Sequence, residues 1–328
     1  MAKIILAIHG LGNKPPNAML TKWWEKSILE GLHNINKQYD KVPLEMIYWA
    51  DVLHPLPLDI NVRDAKSPLY LEEPYLPSSG KSKPPEKKLL TKFFNYFEQQ
   101  LDRIFLNPDM SINFEKVTDR IIHKFFEDLE TYYMDNSQGI ETPEVPTREL
   151  IRDRLQAALK KHRFKEIMIL GHSMGTIISF DVLSSLKPPD YINTFVTIGS
   201  PLGLPIIVSR IFSEQKQLNE ETDFLKTPDS VQNKWLNVSD KEDMVALDHT
   251  LNDDFGANVY GVRAEDFFVY NDYEVNGERN AHKIYGYLRT PEVAQIISSF
   301  LEAPEKLWIL KVIKYFWIHL KIKLAKIF

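Results

Sequence analysis

Residues 166–185 read EIMILGHSMGTIISFDVLSS and contain the segment Gly171-His172-Ser173-Met174-Gly175 between a short apolar run and a helical pattern. A Gly-x-Ser-x-Gly segment between a strand and a helix is the pattern of a nucleophile elbow, which exposes a serine side chain on a sharp turn. Glycines flank the serine because such a turn brings backbone segments into close contact. The segment therefore predicts that Ser173 is a nucleophile at the carboxyl end of a strand.

Short apolar runs alternate with helical patterns over most of the chain, which is typical of βα units and a mostly parallel sheet. The runs lack strict alternation, as expected for strands that helices cover on both faces. The predicted strands are Lys3–His9, Leu44–Trp49, Glu166–Leu170, Thr194–Ile198, Trp235–Val238 and Asp266–Tyr270. The predicted helices are Asn17–Asn36, Thr147–Lys161, Met174–Ser185 and Pro291–Leu301, with N-caps expected at Thr147 and Thr290.

A serine hydroxyl needs a base to remove its proton and a carboxylate to orient that base. With this elbow the expected order along the chain is serine, acid, histidine. Asp243 and Asp240 both follow the strand at Trp235–Val238, and we favour Asp243 with Asp240 as the alternative acid. We expect His282 to be the base because it lies between the last strand and the last helix. Its rival is His249, for which a surface or structural role is favoured.

The oxyanion of an acyl-transfer intermediate needs two hydrogen-bond donors. We assign them to the backbone amides of Met174, directly after the nucleophile, and of Leu11 in the segment His9-Gly10-Leu11-Gly12. His9 ends a buried strand, so a structural hydrogen bond is favoured over a role in proton transfer. The positions that support the site are predicted to be His9, Gly10, Gly171, His172 and Gly175.

The sequence resembles the α/β-hydrolase superfamily, specifically its lipase- and serine-esterase-like members, in five segments. They are IHGLG (8–12), GHSMG (171–175), TIGSPLG (197–203), WLNVSDKEDMVA (235–246) and AHKIYGYLRTPEVAQII (281–297). The resemblance covers residues 1 to about 302 apart from an insertion, and implies a three-layer α/β sandwich that hydrolyses ester, thioester or amide bonds through an acyl-enzyme. The family's usual Asp-x-Val setting of the acid supports Asp243, although Met244 stands where proline is frequent.

One segment, residues 52–145, does not follow the strand–helix alternation and is predicted to be a helical cap inserted into a catalytic domain of residues 1–302. Prolines open the segment, and two amphipathic helical patterns follow at Leu89–Ile104 and Val117–Leu129. A cap of this kind shapes an acyl pocket or acts as a lid. Most of its phenylalanines are expected to pack against each other.

Residues 303–328 are predicted to form a basic amphipathic C-terminal helix. Positions 307–328 contain five lysines and no acidic residue, and include Trp308 and Trp317, a residue type that favours membrane interfaces. Two interpretations stay open: residues 304–328 lie in the plane of an anionic membrane surface, or they pack on the domain or on a dimer partner. The basic charge of the tail against an acidic remainder favours the membrane.

Composition excludes several classes of function. The chain of 328 residues contains no cysteine, which rules out cysteine nucleophiles, thiolate zinc sites and iron–sulfur clusters. A net charge of −5 gives no reason to expect nucleic-acid binding. The acidic run at 240–254 lacks the spacing of a calcium loop, so neither a metal nor a cofactor is expected.

The N-terminus lacks the features of a signal peptide and no long apolar run exists, which predicts a cytoplasmic protein, free or peripheral at a membrane.

These patterns together predict a serine hydrolase that cleaves carboxylic esters of lipid-like or other apolar acyl substrates. A thioesterase or acyltransferase is the alternative within the same chemistry. An α/β-hydrolase scaffold without catalytic activity, tethered by its tail to a membrane or a partner, is the alternative from another class. The serine, the acid and the histidine in their expected order favour the enzyme.

Overall fold

A computed structural model of the chain describes residues 2–78, 80, 129, 132–133, 145–187, 190–218, 224–246 and 248–304. Its main strands are β1 (Lys3–Ile8), β2 (Leu44–Ile47), β3 (Glu166–His172), β4 (Ile192–Ile198), β5 (Val231–Asp240) and β6 (Ala264–Val269). They form one six-stranded sheet in the order β2-β1-β3-β4-β5-β6, and every neighbouring pair in it is parallel. Because the strands are parallel, their carboxyl ends all lie at one edge of the sheet.

Helices lie in the connections between β1 and β5, a short hairpin follows β6, and two further helices follow the hairpin. The helices are α1 (Asn17–Asn34), α2 (Ala50–Leu53), α3 (Thr147–Lys161), α4 (Met174–Ser185), α5 (Pro205–Leu218), α6 (Ile284–Leu288) and α7 (Pro291–Glu302). The hairpin consists of β7 (Glu274–Val275) and β8 (Glu278–Arg279), which pair antiparallel. No helix in the described ranges is long and apolar enough to cross a membrane.

Two apolar cores lie on opposite faces of the sheet, because successive side chains of a strand point to opposite sides. In β1, Leu6 and Ile8 belong to the core that α3 and α4 cover, whereas Ile5 and Ala7 belong to the core that α1 and α7 cover. Both faces of the central strands are therefore buried, which explains why β1 and β3 read as nearly continuous apolar runs. The predicted three-layer α/β sandwich is confirmed, with a fully parallel six-stranded sheet.

The six strands and four helices predicted for the strand–helix alternation are all present, with ends that differ by up to four residues. The predicted N-cap at Thr147 is wrong: helix α3 begins at Thr147 itself and Pro146 occupies the cap position, without a side-chain hydrogen bond. The fixed ring geometry of proline makes Pro146 a natural entry to the helix. At Thr290 the prediction is confirmed, because its hydroxyl accepts a hydrogen bond from the Val293 amide.

The described start of the predicted insertion is an irregular segment, residues 54–78, called the strap below. Near its beginning, the Leu58 amide donates to the Lys14 carbonyl at 2.9 Å, beside the loop that follows β1. Near its end, the Tyr273 hydroxyl donates to the Pro74 carbonyl at 2.6 Å. The strap thus spans the sheet edge at which the strands end. The cap helices predicted at 89–104 and 117–129 and the predicted C-terminal helix fall outside the described residues, apart from isolated positions.

Candidate active site

Ser173 sits on a strained turn between β3 and α4. Its backbone angles are φ 55° and ψ −128°, a conformation that residues other than glycine rarely adopt. A Cβ atom on Gly10 would lie 2.7 Å from Cβ of Ser173, so the loop after β1 approaches the serine as closely as glycine allows. Side chains on Gly171 or Gly175 would likewise meet neighbouring backbone. The turn has the geometry that the Gly-x-Ser-x-Gly pattern predicts.

The acid that contacts His282 is Asp243. Nδ1 of His282 lies 2.8 Å from Oδ1 and 2.9 Å from Oδ2 of Asp243. Asp243 follows β5 and His282 follows the β7–β8 hairpin, so both enter from the carboxyl edge of the sheet, as Ser173 does. With Nδ1–H donating to the carboxylate, Nε2 of the neutral ring carries the lone pair that a general base uses.

Gly199, at the end of β4, lies directly against this pair. Its φ is +52°, and a Cβ on it would be 2.7 Å from Oδ2 of Asp243 and 3.2 Å from Nδ1 of His282. The residue before it, Ile198, accepts a hydrogen bond of 3.0 Å from the Ser173 amide. The end of β4 therefore contacts the serine turn on one side and the acid–histidine pair on the other.

The carboxylate of Asp243 is completely buried and has several donors. The Tyr287 hydroxyl donates to Oδ2 at 2.7 Å, and the Val245 amide donates to Oδ1 at 2.9 Å. Burial raises the pKa of Asp243, but the His282 charge and these hydrogen bonds outweigh burial and hold the pKa below its usual value. Asp243 is therefore ionised at neutral pH, as an acid that orients a histidine must be.

Asp240, the alternative acid, has other partners. Its Oδ2 accepts a hydrogen bond of 2.6 Å from the Asn271 amide and forms an ion pair with Arg279 of β8. Burial raises the pKa of Asp240, although the Asn271 amide and the Arg279 charge act against it. Its contacts hold the end of β5 to the hairpin, and none of them is made with His282.

His172 supports the histidine from the serine side. Its Nε2–H donates to the carbonyl oxygen of His282 at 2.8 Å, and the two ring centroids lie 4.7 Å apart. Burial lowers the pKa of His172 well below its usual range, and the His282 charge lowers it further. A neutral His172 therefore packs between the Ser173 turn and His282.

His9 has both ring nitrogens engaged by backbone groups. Nδ1–H donates to the Gly10 carbonyl at 2.8 Å, Nε2 accepts from the Trp49 amide at 3.0 Å, and the ring stacks on Trp49. Burial lowers the pKa of His9 well below its usual range, and the Lys14 charge adds to the effect. The expected structural role of His9 agrees with these contacts.

The two amides assigned to the oxyanion lie on the two segments that meet at Ser173. Met174 is the first residue of α4, so its amide has no acceptor within the helix and lies at the positive end of the helix dipole. Leu11 lies in the loop after β1, where the Lys14 ammonium donates to its carbonyl and, at 3.1 Å, to that of Gly12. The lysine thus holds this loop in a tight turn.

The last two sequence predictions concern His249, the rival to His282, and the acidic run at 240–254. The His249 ring packs edge-on against Phe268, with centroids 6.4 Å apart, and its backbone carbonyl accepts from Asn237 Nδ2 at 3.1 Å. These contacts give it a structural place. Among the residues that the structure describes, no group of histidine and carboxylate side chains is arranged to hold a metal ion.

Sequence reasoning did not single out Tyr287, Gly199 or Asn271 as members of the site. Tyr287 and Gly199 lie inside segments that carry the family resemblance, AHKIYGYL and TIGSPLG, so the segments were a signal for both. Asn271 donates through Nδ2 to the Ala281 carbonyl at 2.8 Å and to the Lys283 carbonyl at 2.7 Å. Nothing in its local sequence points to that role.

Comparison with known families gives one match. The family model described as the PGAP1-like alpha/beta domain matches residues 148–274, which is less than half of the chain. The matched range includes Ser173 and Asp243, whereas Leu11 and His282 lie outside it. A search of curated proteins finds no match to the chain. The family match and the parallel sheet confirm the resemblance to lipase- and esterase-like α/β-hydrolases.

Proposed function

On the premise of an α/β-hydrolase fold of the lipase and esterase type, we propose that the protein is a serine hydrolase that cleaves carboxylic esters. The observation that carries the proposal is the pairing of His282 with the buried Asp243 at the sheet edge where Ser173 occupies a strained turn. An ionised acid that orients a histidine at the same sheet edge as such a serine supports nucleophilic catalysis.

In the first half of the proposed reaction, Oγ of Ser173 attacks the acyl carbon and its proton passes to Nε2 of His282. The carbonyl oxygen becomes an oxyanion, which the amides of Leu11 and Met174 stabilise by hydrogen bonds. Asp243 stabilises the imidazolium that forms. When the tetrahedral intermediate collapses, the bond to the leaving oxygen breaks and the alcohol takes the proton from His282.

In the second half, a water molecule attacks the acyl-enzyme while His282 removes its proton. The second tetrahedral intermediate collapses, the carboxylic acid leaves, and the proton returns to Oγ of Ser173. Atoms balance with water as the sole co-reactant, and no residue of this scheme requires a metal or a cofactor. With an amine or alcohol in place of water the same site would transfer the acyl group.

An apolar, lipid-like acyl group is the substrate class that we propose. The support is the composition of the insertion, whose two helical patterns place leucine, isoleucine and phenylalanine at helical spacing. The test is hydrolysis of nitrophenyl acetate, octanoate and palmitate, with the matching octanoyl thioester, by wild type, Ser173→Ala and His282→Ala. We expect both variants to lose on the order of 10³-fold or more in kcat/KM. Equal rates for wild type and Ser173→Ala would favour the scaffold without catalytic activity.

We also propose that residues 304–328 bring the enzyme to an anionic membrane surface. The support is the sequence, which combines five lysines, two tryptophans and no acidic residue from 307 to 328. The test is co-sedimentation of the full chain and of a chain ending at 303 with phosphatidylserine-containing and phosphatidylcholine-only vesicles. We expect the full chain alone to bind, and to prefer the anionic vesicles. Equal partition of both chains would contradict membrane binding by the tail.

A further inference from the structure

One carboxylate of the strap bridges the residues on both sides of His282. Oε1 of Glu73 accepts a hydrogen bond of 2.6 Å from Nδ2 of Asn280, and Oε2 accepts one of 2.8 Å from Nζ of Lys283. Asn280 precedes His282 by two positions and Lys283 follows it directly. Glu73 therefore holds the two ends of the segment 280–283, called the histidine loop below, at a fixed separation.

The first of these contacts continues to the backbone of the histidine. Oδ1 of Asn280 accepts a hydrogen bond of 3.0 Å from the His282 amide, while its Nδ2 donates to Glu73. The side chain of Asn280 is thus oriented at both ends. Loss of the Glu73 carboxylate would free the side-chain amide of Asn280. Because that side chain accepts a hydrogen bond from the backbone N–H of His282, the histidine backbone would also be held less firmly.

The opposite side of the histidine loop is held by the core. Asn271 donates to the carbonyls of Ala281 and Lys283, and His172 donates to the carbonyl of His282. These buried donors hydrogen-bond to backbone carbonyls on the side of the histidine loop that faces the core. The Glu73 carboxylate acts on side chains from the outer side, so its contribution is separate from theirs.

Glu73 is ionised and lies next to a residue that is hydrogen-bonded to the domain, so its carboxylate can hold Asn280 and Lys283 in place. Burial raises the pKa of Glu73, but the Lys283 charge and the two hydrogen bonds outweigh burial and keep the pKa below its usual value. The next residue, Pro74, accepts a hydrogen bond of 2.6 Å from the Tyr273 hydroxyl. The carboxylate is therefore ionised at neutral pH and lies on a part of the strap that is itself fastened to the domain.

We propose that Glu73 is a positioning residue of the active site, which holds the His282 imidazole in line with Asp243 and Ser173 through Asn280 and Lys283. The inference rests on the proposed serine hydrolase function. Glu73 touches neither substrate nor reacting atoms. Through these two residues it connects the strap, the described start of the insertion, to the proposed catalytic base. Since a displacement of about 1 Å can cost about 10²-fold in rate, loss of the bridge should slow acylation.

The test is the rate and the extent of labelling by a fluorophosphonate probe in the full chain, for wild type, Glu73→Ala, Glu73→Gln and Glu72→Gln. Glu72 is the matched control, because it is an exposed neighbour on the strap with the same charge. We expect Glu73→Ala to label about tenfold more slowly, and to reach one probe per chain in the end. Glu73→Gln, which keeps one acceptor oxygen, should lose about threefold, and Glu72→Gln should match wild type.

The extent of labelling separates positioning from folding. A variant that merely unfolds in part would label fewer chains at the wild-type rate, and that result would overturn the inference. With wild type labelling normally, an unchanged labelling rate in Glu73→Ala would also overturn the inference. An equal loss of labelling rate in Glu72→Gln would do the same. A wild type that does not label at all would overturn the proposed function and this inference with it.

Discussion

The hydroxyl of Tyr287 connects the two aspartates that follow β5: it donates a hydrogen bond of 2.7 Å to Oδ2 of Asp243 and accepts one of 2.8 Å from the Asp240 amide. The same oxygen of Asp243 lies 2.9 Å from Nδ1 of His282. Tyr287 therefore fixes the rotation of the carboxylate that contacts His282. Burial raises the pKa of Tyr287 well above its usual range, and the Asp243 charge raises it further, so the hydroxyl stays a donor at neutral pH.

Tyr287→Phe removes both hydrogen bonds and leaves the ring in place. We expect the free energy of unfolding to fall by about 1–3 kcal/mol, because a buried carboxylate and a buried amide each lose a partner. We expect kcat for an ester substrate to fall about tenfold with KM unchanged, since the base is oriented less well. Urea unfolding and steady-state kinetics measure the two effects.

Tyr285→Phe is the control for that variant, because Tyr285 is buried in the same helix and makes no described contact with Asp243. It should keep the wild-type kcat. A loss of kcat in Tyr285→Phe as large as in Tyr287→Phe would show that removal of any hydroxyl from α6 disturbs the site, and would contradict a specific role for Tyr287.

The two aspartates should respond differently to the same substitution. Asp243→Asn removes the charge that stabilises the imidazolium and lets the ring adopt the wrong tautomer, so kcat should fall by on the order of 10³- to 10⁴-fold. Asp240→Asn weakens the ion pair with Arg279 and should lower stability while it retains most of the activity. Steady-state kinetics with thermal unfolding distinguishes the pair, and a greater loss of kcat in Asp240→Asn would reverse the assignment of the acid.

The fold was largely predictable because its central strands are buried on both faces. Such strands appear as apolar runs, and the helices between them have amphipathic periodicity. Helix α5 (Pro205–Leu218) was missed although Pro205 at its start and apolar residues at helical spacing were available as signals. Helix α2, with four residues, is too short for periodicity to reveal.

The residues of the candidate site can be predicted where chemistry imposes a local pattern or a chain order. Ser173 has a motif, and the order of acid and histidine follows from the fold that the motif indicates. The contacts of Glu73 with Asn280 and Lys283 join residues more than 200 positions apart, and no local pattern encodes such a pairing. The choice between Asp240 and Asp243 likewise depends on which carboxylate the histidine reaches in three dimensions.

Acid should remove the stability that the ionised Asp243 provides. Its pKa is lower in the folded protein than in the unfolded chain, where the value is about 3.9. The stabilisation is therefore complete at pH values well above about 4 and is lost as the pH falls through the folded pKa. We expect the difference in unfolding free energy between wild type and Asp243→Asn to be largest near neutral pH and to shrink on acidification. Urea unfolding from about pH 7 to about pH 3 checks this, and a difference that grows in acid would contradict it.

The close approach of the loop after β1 to the nucleophile predicts a specific glycine requirement. A methyl group on Gly10 would lie 2.7 Å from Cβ of Ser173, so Gly10→Ala must displace the serine or the loop that carries Leu11. We expect about a 10²-fold loss of kcat. Gly203→Ala is the control, since its methyl group would be 2.8 Å from Cβ of Asp248, a comparable crowding without a described contact to Ser173. An equal loss of activity in both variants would contradict a local effect at the nucleophile.

Covalent labelling decides whether Ser173 is an activated nucleophile. Wild type and Ser173→Ala are treated with a fluorophosphonate probe, and the adduct is located by mass spectrometry, with circular dichroism to verify that both proteins are folded. We expect one probe per chain, attached to Ser173, and no adduct in Ser173→Ala. A folded wild type that does not react, or an adduct that persists in Ser173→Ala, would contradict it.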